Sequence, residues 1–184
     1  MINKPLIVFQ GPVRSRSGYG DHTRDLISSL IDMDKFNIMI APTRWGDCPE
    51  TGLEGNPNRS KFESLIMTDN RLPKQPDIWI NCSVPNEFQP HGKFNIGITA
   101  GIETTICDPS WIEGCNRMDL IIVPSQHSKN VFINTKFDKM DTKSNQKIGE
   151  LVIEKPIEVL FEGLDRQIYK QITTKKSDLN TELK

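Results

Sequence analysis

The sequence predicts an α/β fold: one Rossmann-like domain of three layers, α/β/α, built on a mainly parallel sheet. Three observations carry this. Apolar runs of strand length alternate with segments of helical period along most of the 184 residues. Several runs are apolar at every position, as in Leu6-Ile7-Val8-Phe9 and Leu120-Ile121-Ile122-Val123, which suits strands covered on both faces. Turn-forming residues close them, Gly11-Pro12 after the first and Pro124-Ser125 after the other.

The elements follow in order. Residues 6–9 form the first strand. A helix begins at about Asp21, where Leu26, Ile27, Leu30 and Ile31 make an apolar stripe at helical spacing. Residues 36–41 form a second strand. Residues 42–60 carry scattered Gly, Pro and Asn and read as loop, and 62–67 as one or two helical turns. A third strand, 77–81, lies between Pro76 and Pro85. Residues 95–99 form the fourth. Pro109 then suits the first turn of a helix, where its missing N–H removes no hydrogen bond. The fifth strand, 120–123, is followed by a helix over 126–133.

Residues 134–155 are polar and charge-dense. They predict an excursion from the core, a hairpin with arms at 136–140 and 151–153. Residues 157–161 form the last strand, and Glu162-Gly163-Leu164-Asp165 is its exit turn. The domain is expected to span 1–169. Residues 170–184 hold few large apolar side chains and read as a linker or frayed tail.

Composition narrows the function. The length supports one domain with a real core. The balance of 23 basic and 24 acidic residues argues against a broad nucleic-acid surface. Apolar runs of about five residues are far below the roughly 20 needed to span a bilayer. No signal-peptide pattern follows the first methionine, so a cytoplasmic protein is expected. Cysteines 48, 82, 107 and 115 form no C-x-x-C pair and have no histidine at zinc-finger spacing. Reduced structural thiols are expected, with Cys82 a small buried hydrophobe, and neither a metal nor a bound cofactor is predicted.

Parallel strands place their carboxyl ends on one edge, where open α/β sheets bind ligands. Four connections at that edge hold the candidate chemistry. The loop GPVRSRSGYG, residues 11–20, brings glycine and helix-start N–H groups that favour an anion, with Arg14 and Arg16 adding positive charge. It matches neither the dinucleotide spacing G-x-G-x-x-G nor a Walker loop. Trp45, flanked by Arg44 and Asp47 after the second strand, either stacks on a sugar or anchors packing. Asn86 and Glu87 follow the third strand. Glu103 and Thr104 stand in the turn Ala100-Gly101-Ile102-Glu103-Thr104-Thr105 after the fourth. Asp32-Met33-Asp34 has the D-x-D pattern of metal-dependent sugar transferases, but at a helix end, where a solvated terminus is the reading. His22 lies beside the glycine loop, far in sequence from His91 and His127, and no G-x-S-x-G nucleophile elbow occurs.

Taken together, GPVRSRSGYG, VPNEFQP, NIGITAGIETT, WIEGCNRMDLIIVPSQHSKNVF and VLFEGLD resemble the N-terminal half of a GT-B glycosyltransferase of the group-1 type, especially the versions found in tailed bacteriophages. The resemblance covers about residues 5–169. It implies one of two facing Rossmann-like domains, the acceptor-side one. The implied reaction moves a sugar from a nucleotide-sugar to an acceptor hydroxyl, in the cytoplasm, including that of an infected bacterial cell. The family's glycine loop approaches the donor across the cleft, a role that falls on Arg16, Ser17, Gly18, Tyr19 and Gly20. Trp45, Asn86 and Glu87 become acceptor or sugar contacts. Many members carry a histidine in the turn after the fourth strand. Here Ala100-Gly101-Ile102-Glu103 stands there, which moves the catalytic expectation to Glu103 and Thr104. The donor-binding C-terminal domain is expected to be absent from this chain and supplied in cis or in trans. The rival expectation is a non-catalytic module of the same fold that holds a glycan, nucleotide or protein. A small independent nucleotide-binding enzyme is the weaker third reading, because no cofactor fingerprint is present.

Overall fold

The computed structural model describes residues 4–69, 71–164 and 169. Asp165, the last residue of the expected exit turn, and the expected tail 170–184 lie outside them. Elements run in the order β1 (Leu6–Gly11), α1 (Gly18–Asp32), β2 (Asn37–Pro42), α2 (Arg59–Leu65), β3 (Ile78–Cys82), a 3-10 turn (Pro85–Glu87), β4 (Phe94–Ile98), α3 (Pro109–Asn116), β5 (Leu120–Val123), α4 (Gln126–Asn134), β6 (Phe137–Met140), β7 (Lys147–Leu151) and β8 (Ile157–Val159).

Six strands form one sheet in the order β2-β1-β3-β4-β5-β8, with every neighbouring pair parallel. The fold is therefore α/β and Rossmann-like, as the alternation of elements predicted. Strand order reverses between β1 and β3, so the crevice of the doubly wound sheet opens at their carboxyl ends.

Register sorts the side chains into two cores. Phe9 pairs with Ile40 and Ile80, and this row faces α1 and α2. Ile27 of α1 and Phe62 of α2 are buried against it. The next row, Gln10, Asn81, Gly97 and Ile121, faces the opposite side. There Ile121 and Val123 pack with Ile112 of α3 and Phe132 of α4. Each fully buried side chain of this size contributes about 1.5–3 kcal/mol of transfer free energy, so the two cores supply the main driving force.

Helix starts are set by side-chain caps. Ser17 Oγ accepts from Gly20 N at 3.1 Å, which moves the start of α1 three residues ahead of the expected Asp21. Asp108 Oδ1 accepts from Ser110 N, and Pro109 follows it as the first residue of α3, as expected. Ser125 Oγ accepts from Ser128 N at the start of α4.

Other expected boundaries shift too: α2 spans Arg59–Leu65, starting inside the expected loop and ahead of the expected 62–67. The second hairpin arm is β7 at 147–151, not 151–153. Asp141 fixes the turn by accepting from Lys143 N and Ser144 N, and Asn145 takes a left-handed φ of 52°. That turn brings Leu151 opposite Phe137. The last strand ends at Val159, because its neighbour β5 ends at Val123, which takes a final bond from Leu160 N.

The crossover from β2 to β3 is unusual. After α2, Ile66 forms an isolated bridge with Ile40 at the outer edge of β2. Residues 67–69 and 72–76 of the described chain then border the opposite sheet face near Gln10, Ala41 and Trp79. There the β2-β1-β3 half carries this loop and, among the described residues, no helix.

Candidate functional site at the carboxyl edge

Tyr19 ties the edge together. Its ring stacks on Trp45 with centroids 4.1 Å apart and planes at 25°. Its hydroxyl lies 3.0 Å from Thr99 Oγ1 and accepts from Ala100 N at 3.1 Å. One side chain therefore joins the loops after β1, β2 and β4. Burial, with the Glu87 charge as a smaller cause, raises the Tyr19 pKa above its ordinary value, so the phenol stays protonated at neutral pH. Tyr19 is a strut here, not a general base.

The glycine loop is rigid for identifiable reasons. Arg24 is buried, and its Nη1 donates to Val13 O and Ser15 O. Its other nitrogen pairs with Asp21. Arg16 N donates to Pro49 O, and Gly52 N to Arg14 O, which stitches this loop to the one after β2. The Arg14 guanidinium is held by Glu63 at 3.2 Å. Arg16 is exposed and has no carboxylate within ion-pair distance among the described residues.

The two glycines at the start of α1 differ. A Cβ on Gly18 would meet nothing within 4 Å, and the residue is exposed. A Cβ on Gly20 would lie 2.2 Å from Ser15 O and 3.1 Å from Pro12 O. Gly20 is thus needed for the loop to pack on its own backbone. Ser17 is engaged as the cap. The surface that a ligand can approach is Gly18 and the amides of Gly18 and Tyr19, which have no intrahelical acceptor.

Past β4, the Ala100 peptide is held from both sides. Its N–H donates to Tyr19, and its carbonyl accepts from Ser128 Oγ at 3.1 Å. Gly101 has φ +84°, and a Cβ there would meet Ser128 Oγ at 2.6 Å, so glycine is required twice over. Glu103 and Thr104 are exposed, and Thr104 Oγ1 donates to Ile106 O. Asn86 and Glu87 are exposed on the 3-10 turn. Arg117 fixes that turn by donating to Asn86 O and Phe88 O. It presses so closely on α3 that a Cβ on Gly114 would lie 1.8 Å from Pro85 O.

Tyr19 and Trp45 are therefore in contact, Glu87 lies within electrostatic range of Tyr19, and Glu103 and Thr104 sit on the exposed continuation of the pinned turn. Thr99, Ser128 and Arg24 complete the arrangement and were not singled out as site residues. Arg24 had a signal: it is a cation one turn past Gly20, on the side of the helix stripe that faces the loop. Asp34, of the D-x-D pattern, binds Lys4 at the opposite edge, away from this site. His22 Nδ1 lies 3.6 Å from Glu162 Oε1, an ionic contact when the imidazole is protonated.

The cysteines are unpaired, and 82, 107 and 115 are buried. Burial pushes the Cys82 thiol up to about 11 and Cys115 up to about 12, so neither is a nucleophile near neutrality. Among the described residues no group of three or more His, Cys, Asp or Glu is placed to hold a metal ion, and no helix is long and apolar enough to cross a membrane.

The fold and the edge define a Rossmann-like α/β domain with its polar loops gathered at the switch point of the sheet. Comparison with protein-family models, curated proteins and solved structures finds no match to this chain.

Proposed function

We propose that this domain is the acceptor-side half of a glycosyltransferase that moves a sugar from a nucleotide-sugar to an acceptor hydroxyl. One observation carries the reading. The open start of α1, with Gly18 unobstructed, stands beside an aromatic stack at the switch point of a parallel sheet.

The chemistry assigns roles. The Gly18 and Tyr19 amides and the Arg16 guanidinium stabilise the departing phosphate as the bond from its oxygen to the anomeric carbon breaks. The acceptor oxygen forms the new bond to that carbon, and its proton passes to a base, for which Glu103 is the candidate. Trp45 offers a ring edge to the sugar, and Asn86 and Glu87 offer polar contacts. These groups make one open wall. A second domain, in cis or in trans, supplies the other wall and excludes water.

The exposure of Glu103 favours a second reading, a non-catalytic module that binds a glycan or nucleotide at the same edge. One experiment separates the two. Calorimetry and transfer assays with a panel of nucleotide-sugars are run on this chain alone and joined to a donor-binding domain. The transferase reading expects weak binding and no transfer alone, and both restored in the assembly. Glu103→Ala then lowers turnover more than affinity. Binding without turnover in the assembly supports the module, and robust turnover by the chain alone refutes the need for a second wall.

A further inference from the structure

After β8 the chain turns back across the carboxyl edge of its own sheet. Leu160 N donates to Val123 O at the end of β5. Two residues later, Glu162 Oε1 lies 3.6 Å from His22 Nδ1 on α1. Burial is the main cause of the raised Cys82 thiol, and the Glu162 charge is a smaller one, which places this carboxylate near the end of β3. In the sheet β4 stands between β3 and β5, so residues 160–162 cross the carboxyl end of β4. That end leads into Thr99 and the turn that carries Glu103.

Little besides the His22 contact holds this segment down. Leu160, Phe161 and Leu164 are 49%, 73% and 63% exposed, so no apolar side chain anchors it in a core. A Cβ on Gly163 would meet nothing within 4 Å. The charges around His22 make it the deciding group. Asp21, Arg24 and Asp25 stand on its own helix, Glu162 on the crossing segment, and Cys82 on β3 with a thiol that stays neutral. Arg24 is committed, with Nη1 on Val13 O and Ser15 O and its other nitrogen on Asp21. Burial, then the Asp21 charge, raises the Asp25 carboxyl; Glu162 adds to this, and His22 and Arg24 oppose it. A protonated His22 thus offsets the repulsion between Glu162 and Asp25. A neutral one leaves two carboxylates facing each other without it.

We propose that residues 160–164 are a strap over the end of β4, latched to α1 by the Glu162–His22 pair while the imidazole is protonated and freed when it is neutral. The strap needs no ligand, so it stands apart from the transfer reading. Latching is favoured in acid and lost as pH rises through the ordinary imidazole range. An exposed pair of this kind shifts the ratio of latched to free by about twofold to fivefold.

The ¹⁵N{¹H} nuclear Overhauser ratio of the Gly163 and Leu164 amides, measured on the full chain, reads the motion of the strap. The ratio should fall between about pH 5 and about pH 8, which bracket ordinary imidazole titration. Salt at about 0.5 M should lower it at the acid end by screening the pair. Glu162→Gln should give the low ratio at both pH values. His22→Lys keeps a cation throughout and should give the high ratio at both. The Glu162 side chain is 57% exposed, so its variant keeps the fold and decides the matter alone if His22→Lys does not fold. The proposal is overturned by a parent ratio that ignores pH or salt, by a pH dependence that survives in Glu162→Gln, or by a folded His22→Lys whose ratio is low or still follows pH.

Discussion

The Tyr19 hydroxyl lies 3.0 Å from Thr99 Oγ1, across the carboxyl end of the sheet and 80 residues away in the chain. The bond joins the first residues of α1 to the end of β4 over the intervening β3. With the Ala100 amide also donating to Tyr19, the start of the helix and the turn leading to Glu103 share one anchor.

Tyr19→Phe should therefore destabilise the domain by about 1 kcal/mol, the net worth of a typical hydrogen bond, while keeping the stack on Trp45. Urea denaturation measures the stability. Amide exchange at Ala100 should quicken, and an unchanged exchange rate would show that the strut does not hold the turn.

Gly18 and Gly20 should respond in opposite ways. Gly18→Ala should leave stability within about 1 kcal/mol of the parent chain, because the added methyl meets open space. Gly20→Ala should lose about 1–3 kcal/mol through overpacking against Ser15 O. Thermal melts of the two variants decide this. A stable Gly20→Ala would show that the loop yields to a side chain at that position.

Asp77 should make stability depend on acid pH. Hydrogen bonds from Lys74 and Lys93, then from Leu6 N, hold its carboxyl well below the usual carboxylate range. A pKa lower in the folded than in the unfolded chain stabilises the fold above the unfolded value, about 3.9. That stabilisation is lost as pH falls below this value toward the folded one. The urea midpoint of Asp77→Asn should lie below that of the parent at pH 7, and the gap should narrow steadily below about pH 4. A gap that does not change with pH would contradict the assignment.

Thiol reactivity should be uneven. Cys48 is half-buried, whereas Cys82 and Cys115 are buried with thiols raised to about 11 and about 12. Under native conditions at pH 8, a disulfide reagent should modify Cys48 rapidly and the other two on the timescale of unfolding. Mass spectrometry of the modified peptides gives the order.

Much of the sheet was legible because buried parallel strands write themselves as unbroken apolar runs. Leu120–Val123 was placed to the residue on that basis, and the other core strands to within a residue or two. Pro109 marked the start of α3 through its fixed φ. Strand order was not legible, since nothing in a run such as Ile78–Cys82 states that it pairs with β1 on one side and β4 on the other. Local chemistry misled at α1, where the apolar stripe begins later than the Ser17 cap. At the edge, residue types singled out loops but not the contacts those loops make. Tyr19 meets Thr99 through a long-range bond that leaves no local pattern. The two glycines look alike in sequence and differ in what surrounds them.

The near contact of Gly114 with Pro85 O has a mechanical consequence. With no side chain between them, α3 and the 85–87 turn have no room to slide and must travel as one piece. Arg117, at the same end of the helix, locks the pair a second time. Any ligand that pushes Asn86 or Glu87 therefore works against a lever as long as α3, whose far side is fixed in the core by Ile112 and Cys115. The third loop of the edge is stiff by construction, and adaptation to a ligand falls to the exposed stretch around Glu103. Drift at position 114 is closed to every residue larger than glycine, whatever else changes at the edge.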